Sequence, residues 1–235
     1  MRLRHVALLA IVLSIVFPAL LIIKPHLRST PQAGQGEGIV PLPEPRLTGG
    51  MSVEEAIAKR RSIRSYRDEP LTLEELSQLL WAAQGITDWK RKYRSAPSAG
   101  PTYPFEIYAV VGNVRGLSPG IYRYDPFRHA LIELRKGDFR RELQKASLNQ
   151  EWVGEAPLDI VLVAFYERTT RVYGERGIRY VHMEAGHIGE NIYLEATSLG
   201  LGTVAVGAFD DERVAEILGT LGSPLYIFPV GVPSG

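Results

Sequence analysis

Three arginines and a serine crowd into Arg60-Arg61-Ser62-Ile63-Arg64, followed by Ser65 and Tyr66. Fixed positive charges and small hydroxyl donors at that density suit a phosphate, because a guanidinium keeps its charge and offers an oxyanion two N–H groups at once. The plainer reading is that basic residues at a helix C-terminus complement its dipole and lie in solvent. Two other stretches, Ser95-Ala96-Pro97-Ser98-Ala99-Gly100 and Gly200-Leu201-Gly202-Thr203-Val204-Ala205-Val206-Gly207-Ala208-Phe209, offer backbone with few bulky side chains. Such backbone suits close approach to a flat ring, with tight turns as the alternative. A phosphate grip and a ring wall together point to a flavin mononucleotide (FMN) site.

Recognisable elements must position these residues. Ser52-Val53-Glu54-Glu55 has capping-box form and predicts a helix through about Arg61; Thr72-Leu73-Glu74-Glu75 repeats it, with a helix through Trp81 that stops at Gly85. Phe105 to Gly112 reads as a strand, and Ile121 to Tyr124 with Ala130 to Leu134 as a hairpin turning at Pro126. A short helix is predicted from Asp138 to Ser147. The unbroken apolar run Asp159 to Tyr166 fits a central strand buried on both faces. A long helix spans roughly Ile178 to Leu199, with Val181, Ala185, Ile188, Ile192, Ala196 and Leu199 on one face. Gly186 and Gly189 weaken it and predict close approach by another backbone. Gly202 to Phe209 is predicted as a strand, Asp210 to Leu218 as a helix and Leu225 to Val230 as the last strand. This irregular alternation favours an α+β fold over a doubly wound one.

The sequence has 235 residues and a net charge of +1, enough for one sizeable core and with no electrostatic demand for nucleic acid. With no cysteine there are no thiolate nucleophiles, Cys-ligated metals or lipidated cysteine, so redox chemistry needs an organic cofactor. Gly200-Leu201-Gly202 follows a helix and enters a strand, the reverse of a dinucleotide fingerprint. His182 and His187 are five apart and do not share a helix face, so a structural role is favoured over metal binding. Tyr93, Tyr103 and Tyr173 are candidates for a substrate pocket, with packing the plainer role.

Arg2 and Arg4 precede an apolar run from Val6 to Ile23 that is long enough to cross a bilayer as a helix. Residues 1–28 are therefore expected to be an N-terminal membrane anchor, with a cleaved signal as the alternative and the catalytic domain outside. Residues 29–49, rich in Pro, Gly, Gln, Ser and Thr, are expected to be a flexible linker. The folded domain is expected over residues 50–235.

From about Met51 onward the order of motifs resembles the nitroreductase family of flavoproteins, and within it the SagB-type dehydrogenases. The resemblance rests on Arg60 to Arg64, Leu79-Leu80-Trp81-Ala82-Ala83-Gln84-Gly85, Pro97-Ser98-Ala99-Gly100 with Tyr103-Pro104, Glu184-Ala185-Gly186-His187 with Asn191, and Leu199-Gly200-Leu201-Gly202. It implies a central mixed or antiparallel sheet flanked by helices and an intertwined homodimer. By the same resemblance Arg60 and Ser62 contact the FMN phosphate and ribityl chain, Arg64 the N1–O2 edge of the ring, and Arg61 either. Pro97, Ser98, Ala99 and Gly100 would pack beside the partner subunit's flavin, and the backbone of Val206-Gly207-Ala208 would face N5.

Two departures qualify the resemblance. Azoline-oxidising members carry a Lys-Tyr pair where this chain has Val172-Tyr173. Many nitroreductases end in a basic segment that reaches the phosphate, whereas this chain has Pro229-Val230-Gly231-Val232-Pro233-Ser234-Gly235. Phosphate binding then leans on Arg60 to Arg64, with Arg176 or Arg179 as further candidates. The expectation is an FMN-dependent oxidoreductase exchanging hydride at flavin N5 with an NAD(P)H-like donor or small organic substrate. A peptide azoline dehydrogenase and a non-catalytic flavin-binding module are the alternatives.

Overall fold

The most apolar run of the domain, Leu158–Ala164, is buried along its whole length because it crosses the middle of a seven-stranded sheet. The computed structural model describes residues 38–235. In chain order its elements are β1 (Ile39–Pro41), α1 (Val53–Lys59), α2 (Leu73–Gln84), β2 (Ile86–Asp88), β3 (Tyr93–Arg94), β4 (Phe105–Val111), β5 (Gly120–Asp125) and β6 (Ala130–Lys136). There follow α3 (Arg140–Ala146), α4 (Glu151–Glu155), β7 (Leu158–Ala164), α5 (Glu167–Tyr173), α6 (Arg176–Ser198), β8 (Gly202–Thr203), α7 (Asp211–Leu218) and β9 (Ser223–Gly231). The sheet order is β1-β6-β5-β4-β7-β9-β8, and β2 and β3 form a separate hairpin. All pairings between these strands are antiparallel, so the sheet is antiparallel and not mixed.

Alternation along the central strands sorts side chains into two layers. Ile107, Ala109, Ile160 and Leu162 face α2 and α6, where they meet Leu76, Leu79 and Leu80 and the predicted stripe Val181, Ala185, Ile188, Ile192 and Ala196. Tyr108, Val110, Val161 and Val163 face the other way, onto Leu143 of α3, Val153 of α4, and Val214 and Leu218 of α7. Both predicted helix starts are present. Ser52 Oγ accepts from Glu55 N–H, and at α2 the Thr72 and Glu75 side chains each bond the other's backbone N–H.

Several expectations need correction. The part of the predicted linker within the described residues is built into the fold: β1 pairs with β6, Leu42 is buried, and Arg46 exchanges two hydrogen bonds with the Gln78 side chain. Its proline-rich composition hid a short apolar run, Ile39-Val40-Pro41-Leu42, and proline is tolerated there because β1 is an edge strand. The strand predicted from Gly202 to Phe209 is regular only at Gly202–Thr203, with one further bridge from Val206 to Ile227. Gly189 does mark a close approach, but to the Phe228 ring and not to backbone, since a Cβ there would lie 2.8 Å from Cζ; Gly186 faces open space. The predicted anchor, residues 1–28, lies outside the described residues, among which no helix is long and apolar enough to cross a membrane.

If the arm is part of the core, Leu42→Ala should lower unfolding stability by about 2–4 kcal/mol in urea titration, as for a buried leucine. A free linker would show no change.

Candidate active site

The arginine segment begins where α1 ends. Arg60 turns out of the helix into extended backbone (ψ 126°) after its N–H bonds the Ala56 carbonyl. Beyond it the chain is pinned on two sides. Ile63 N–H donates to Thr203 O at 2.9 Å, beside a parallel bridge from Ser62 to Thr203. The Tyr66 hydroxyl shares its one hydrogen between the carbonyls of Ile63 (2.9 Å) and Pro229 (3.0 Å), Arg67 N–H donates to Val232 O (2.9 Å), and Ser234 N–H to Ser65 O (3.2 Å). The proline-containing end that lacks a basic segment therefore clamps the arginine segment from behind.

Tyr193 of α6 joins the predicted pieces. Its hydroxyl hydrogen-bonds Ser62 Oγ at 3.0 Å and accepts from Ala205 N–H at 2.8 Å, while the Arg60 guanidinium lies over its ring at 5.0 Å. Arg64 lies over the Trp152 ring at 5.7 Å. Gln150, which precedes α4, donates to the Ala208 carbonyl at 2.8 Å and holds that loop against the same helix. Arg60, Ser62, Arg64, Gly207 and Ala208 thus gather around Tyr193 and α4. Arg61 points elsewhere: its Nη1 donates to the Ala58 and Arg60 carbonyls at the end of α1.

Pro97, Ser98, Ala99 and Gly100 are not brought to this cluster within one chain. They pack beside a different turn of α6, with the His187 imidazole bonded to Pro97 O at 3.3 Å. His187 and Tyr193 are about 9 Å apart along the helix axis. Gly100 has φ +55°, which favours glycine, and a Cβ there would meet the Tyr173 hydroxyl. Arg179 and Arg176 are on the far end of α6, about 20 Å or more along the axis from Tyr193, too far to assist Arg60 in the same chain. His182 bonds the Tyr166 hydroxyl at 2.6 Å. Tyr103 packs under Arg94 and accepts from Arg94 N–H, a packing role, and Tyr93 is exposed.

The residues around Tyr193 fit a phosphorylated, planar cofactor. None of Arg60, Arg61 or Arg64 is ion-paired to a carboxylate among the described residues. The N–H groups of Gly207 and Ala208 have no backbone partner there, and Gly207 is open on its side-chain side apart from ordinary contact with Tyr226. Cationic groups and donors without internal partners are what an anionic, ring-bearing ligand requires.

A buried polar chain lies behind Pro97 to Gly100. Glu184 of α6 is 2% exposed, and its Oε1 accepts from Gln84 Nε2 at 3.4 Å; the Ser98 hydroxyl, which accepts from Tyr103 N–H at 3.0 Å, lies beside it. Gln84 Oε1 accepts in turn from Arg94 Nη1 at 2.9 Å. Burial raises the Glu184 pKa to about 7, with Ser98, Gln84 and the Arg94 charge opposing the rise. Among these partners only Ser98 was singled out for the site from sequence, although Glu184 stands on the apolar stripe between Val181 and Ile188, where a carboxylate is conspicuous. Tyr193, Trp152 and Gln150 carry no local signal, because their role depends on contacts across long sequence separations.

The chain matches the nitroreductase family over residues 57–232. A relative from Methanocaldococcus jannaschii that bears the nitroreductase name is 51% identical over 181 residues, covering 77% of this chain and 91% of that one. A Ralstonia eutropha crystal structure, also under the nitroreductase name, has 33% identity and a TM-score of 0.75, covering 86% of this chain and 92% of that one. An NAD(P)H FMN reductase from Bacillus subtilis is 24% identical over 190 residues, 76% of this chain and 62% of that protein. The chain belongs to the nitroreductase family and is an oxidoreductase.

The Glu184 pKa makes a prediction with a definite sign. The folded value of about 7 lies above the ordinary glutamate value of 4.5, so this group's contribution is fully present below 4.5 and is lost as pH rises through 7. Stability should fall by up to about 3 kcal/mol on that account toward pH ~8. In urea titrations across this range Glu184→Gln should flatten the decline and exceed the parent at the alkaline end. An unchanged pH slope would contradict the assignment.

Proposed function

We propose that this chain is an FMN-dependent oxidoreductase that exchanges hydride at flavin N5 with an NAD(P)H-like donor or a small organic substrate, working as a homodimer. The observation that carries this reading is the convergence of Arg60 and the Ser62 hydroxyl on Tyr193, with Arg64, likewise without an ion pair, over Trp152 and the backbone N–H groups of Gly207 and Ala208 without backbone partners nearby. Arg60 and Ser62 are assigned to the phosphate and ribityl chain. Arg64 is assigned to the pyrimidine edge, where a cation favours the negative charge of reduced flavin. When bound, the flavin supplies the two-electron chemistry, and the protein holds and orients it.

The homodimer is proposed because Pro97 to Gly100 are separated along α6 from the arginine cluster of their own chain. Val172 of α5 and Ile178 and Met183 of α6, each 45% exposed or more, leave apolar surface on these helices for a second copy. Within the family, the SagB-type assignment is proposed without azoline oxidation. Val172 stands on α5 where those members have lysine, and Tyr173 is occupied against Gly100, so the proton acceptor that chemistry uses is missing from that place. We also propose that residues 1–28 anchor the enzyme in a membrane with the domain outside.

The protein should purify yellow. Arg60→Ala combined with Arg64→Ala should strip the flavin, each charged contact contributing about 1.5–3 kcal/mol; full flavin content in the double variant would refute the assignment. Flavin held but not reduced by any donor would favour a non-catalytic module.

Sedimentation should show flavin-loaded protein as a dimer, and a flavin-loaded monomer would contradict the shared site. Mass spectrometry of membrane-derived protein should find the N-terminus intact; a mature start within residues 29–49 would replace the anchor with a cleaved signal.

A further inference from the structure

A cavity of about 260 Å³ opens between β4, β5, β6 and α5, away from the residues assigned to the flavin. Arginine dominates its charge. Arg94, Arg123 and Arg168 line it together with two carboxylates, Glu106 and Asp125. Both carboxylates are already engaged. Glu106 holds Arg168 at 2.5 Å and Arg123 at 3.4 Å, and Asp125 accepts from the N–H groups of Phe127 and Arg128 and pairs with the Arg128 side chain at 3.7 Å.

Arg94 is left over. It is half-buried, has no ion pair among the described residues, and its Nε is shut off from solvent without a hydrogen-bond partner. Its Nη1 reaches only the neutral amide of Gln84. Beyond that amide the Glu184 carboxyl, raised by burial to about 7, is half-protonated near neutrality and an incomplete counterion. The rings of Tyr103 at 4.4 Å and Phe127 at 5.8 Å offset part of the cost. A guanidinium cannot escape burial by losing its proton, so its charge calls for an anion. The rest of the cavity wall includes Phe105, Ile107, Phe127 and Ile132, which suits an apolar body and not a bare inorganic ion.

We propose that this cavity binds a small organic carboxylate, its charged end on Arg94 and its apolar body against Phe127 and Ile107. Gln84 carries hydrogen bonds from Arg94 to Glu184 of α6, the helix whose His187 bonds the Pro97 carbonyl, so occupancy reaches the part of the chain assigned to the partner's flavin. The site itself does not rest on the flavin assignment.

The test is calorimetric titration of the full chain as purified with benzoate, with uncharged benzamide and with inorganic phosphate. Benzoate should bind once per chain and benzamide should not. Arg94→Gln should weaken benzoate by about tenfold or more, the loss of one charged hydrogen bond. Phe127→Ala, a change at a half-exposed turn residue, should weaken benzoate severalfold in a protein that still folds, whatever the fate of Arg94→Gln. Absence of benzoate binding, or binding untouched by Phe127→Ala, would overturn the proposal. Phosphate binding that is stronger than benzoate and lost in Arg94→Gln would also overturn it, since the cavity would then hold an inorganic anion. Phosphate binding that survives Arg94→Gln belongs to another site and leaves the benzoate result to decide.

Discussion

The candidate site depends on one constraint: seven residues, Arg60 to Tyr66, are held extended along the β8 edge of the sheet. Three neighbouring arginines repel one another, and in a free loop they would spread into solvent. Here the bond from Ile63 N–H to Thr203 fixes one side, and the buried Tyr66 hydroxyl, satisfied by two carbonyls, fixes the other. Burial raises the Tyr66 pKa well above the usual phenol range, so it remains a donor to those carbonyls. With the backbone fixed, Tyr193 and Trp152 give two of the three guanidiniums aromatic surfaces to rest on without neutralising them. Preorganised and unpaired charge is the state in which binding an anion loses least entropy.

The second polar system has a different character. Glu184 and Gln84 are buried, and Arg94 reaches them from the cavity wall; at the two buried members each bond matters because water cannot substitute for it. This chain occupies core volume that leucine would fill at less cost, and its members lie between the arginine-lined cavity and the turn at Gly100. The protein therefore keeps exposed charge at the edge of its sheet and half-neutralised charge in its interior, joined through the same long helix.

Much of this was legible in the sequence, for local reasons. Capping boxes at Ser52 and Thr72, the apolar run at Leu158–Ala164 and the stripe on α6 depend on neighbours within a turn or a strand, and each stands close to where the pattern places it. The arginine segment and Gly207-Ala208 could be named from residue type, but Ser62 meets Tyr193 across 131 positions and Ala208 meets Gln150 across 58, which no local pattern encodes. β1 escaped because four apolar residues were averaged with surrounding prolines and glycines. Gly189 was noticed for its helix cost, yet only the packed structure shows an aromatic ring against it.

The clamp on the arginine segment has a consequence for how the protein is made. Tyr66 and Ser65 take their partners from Pro229 and Ser234, 163 and 169 residues later in the chain. A ribosome exposes the arginines early, but the surface that aligns them emerges only with β9. Closing so long a loop is slow. The complete clamp on the arginine segment therefore forms only once β9 has joined the sheet.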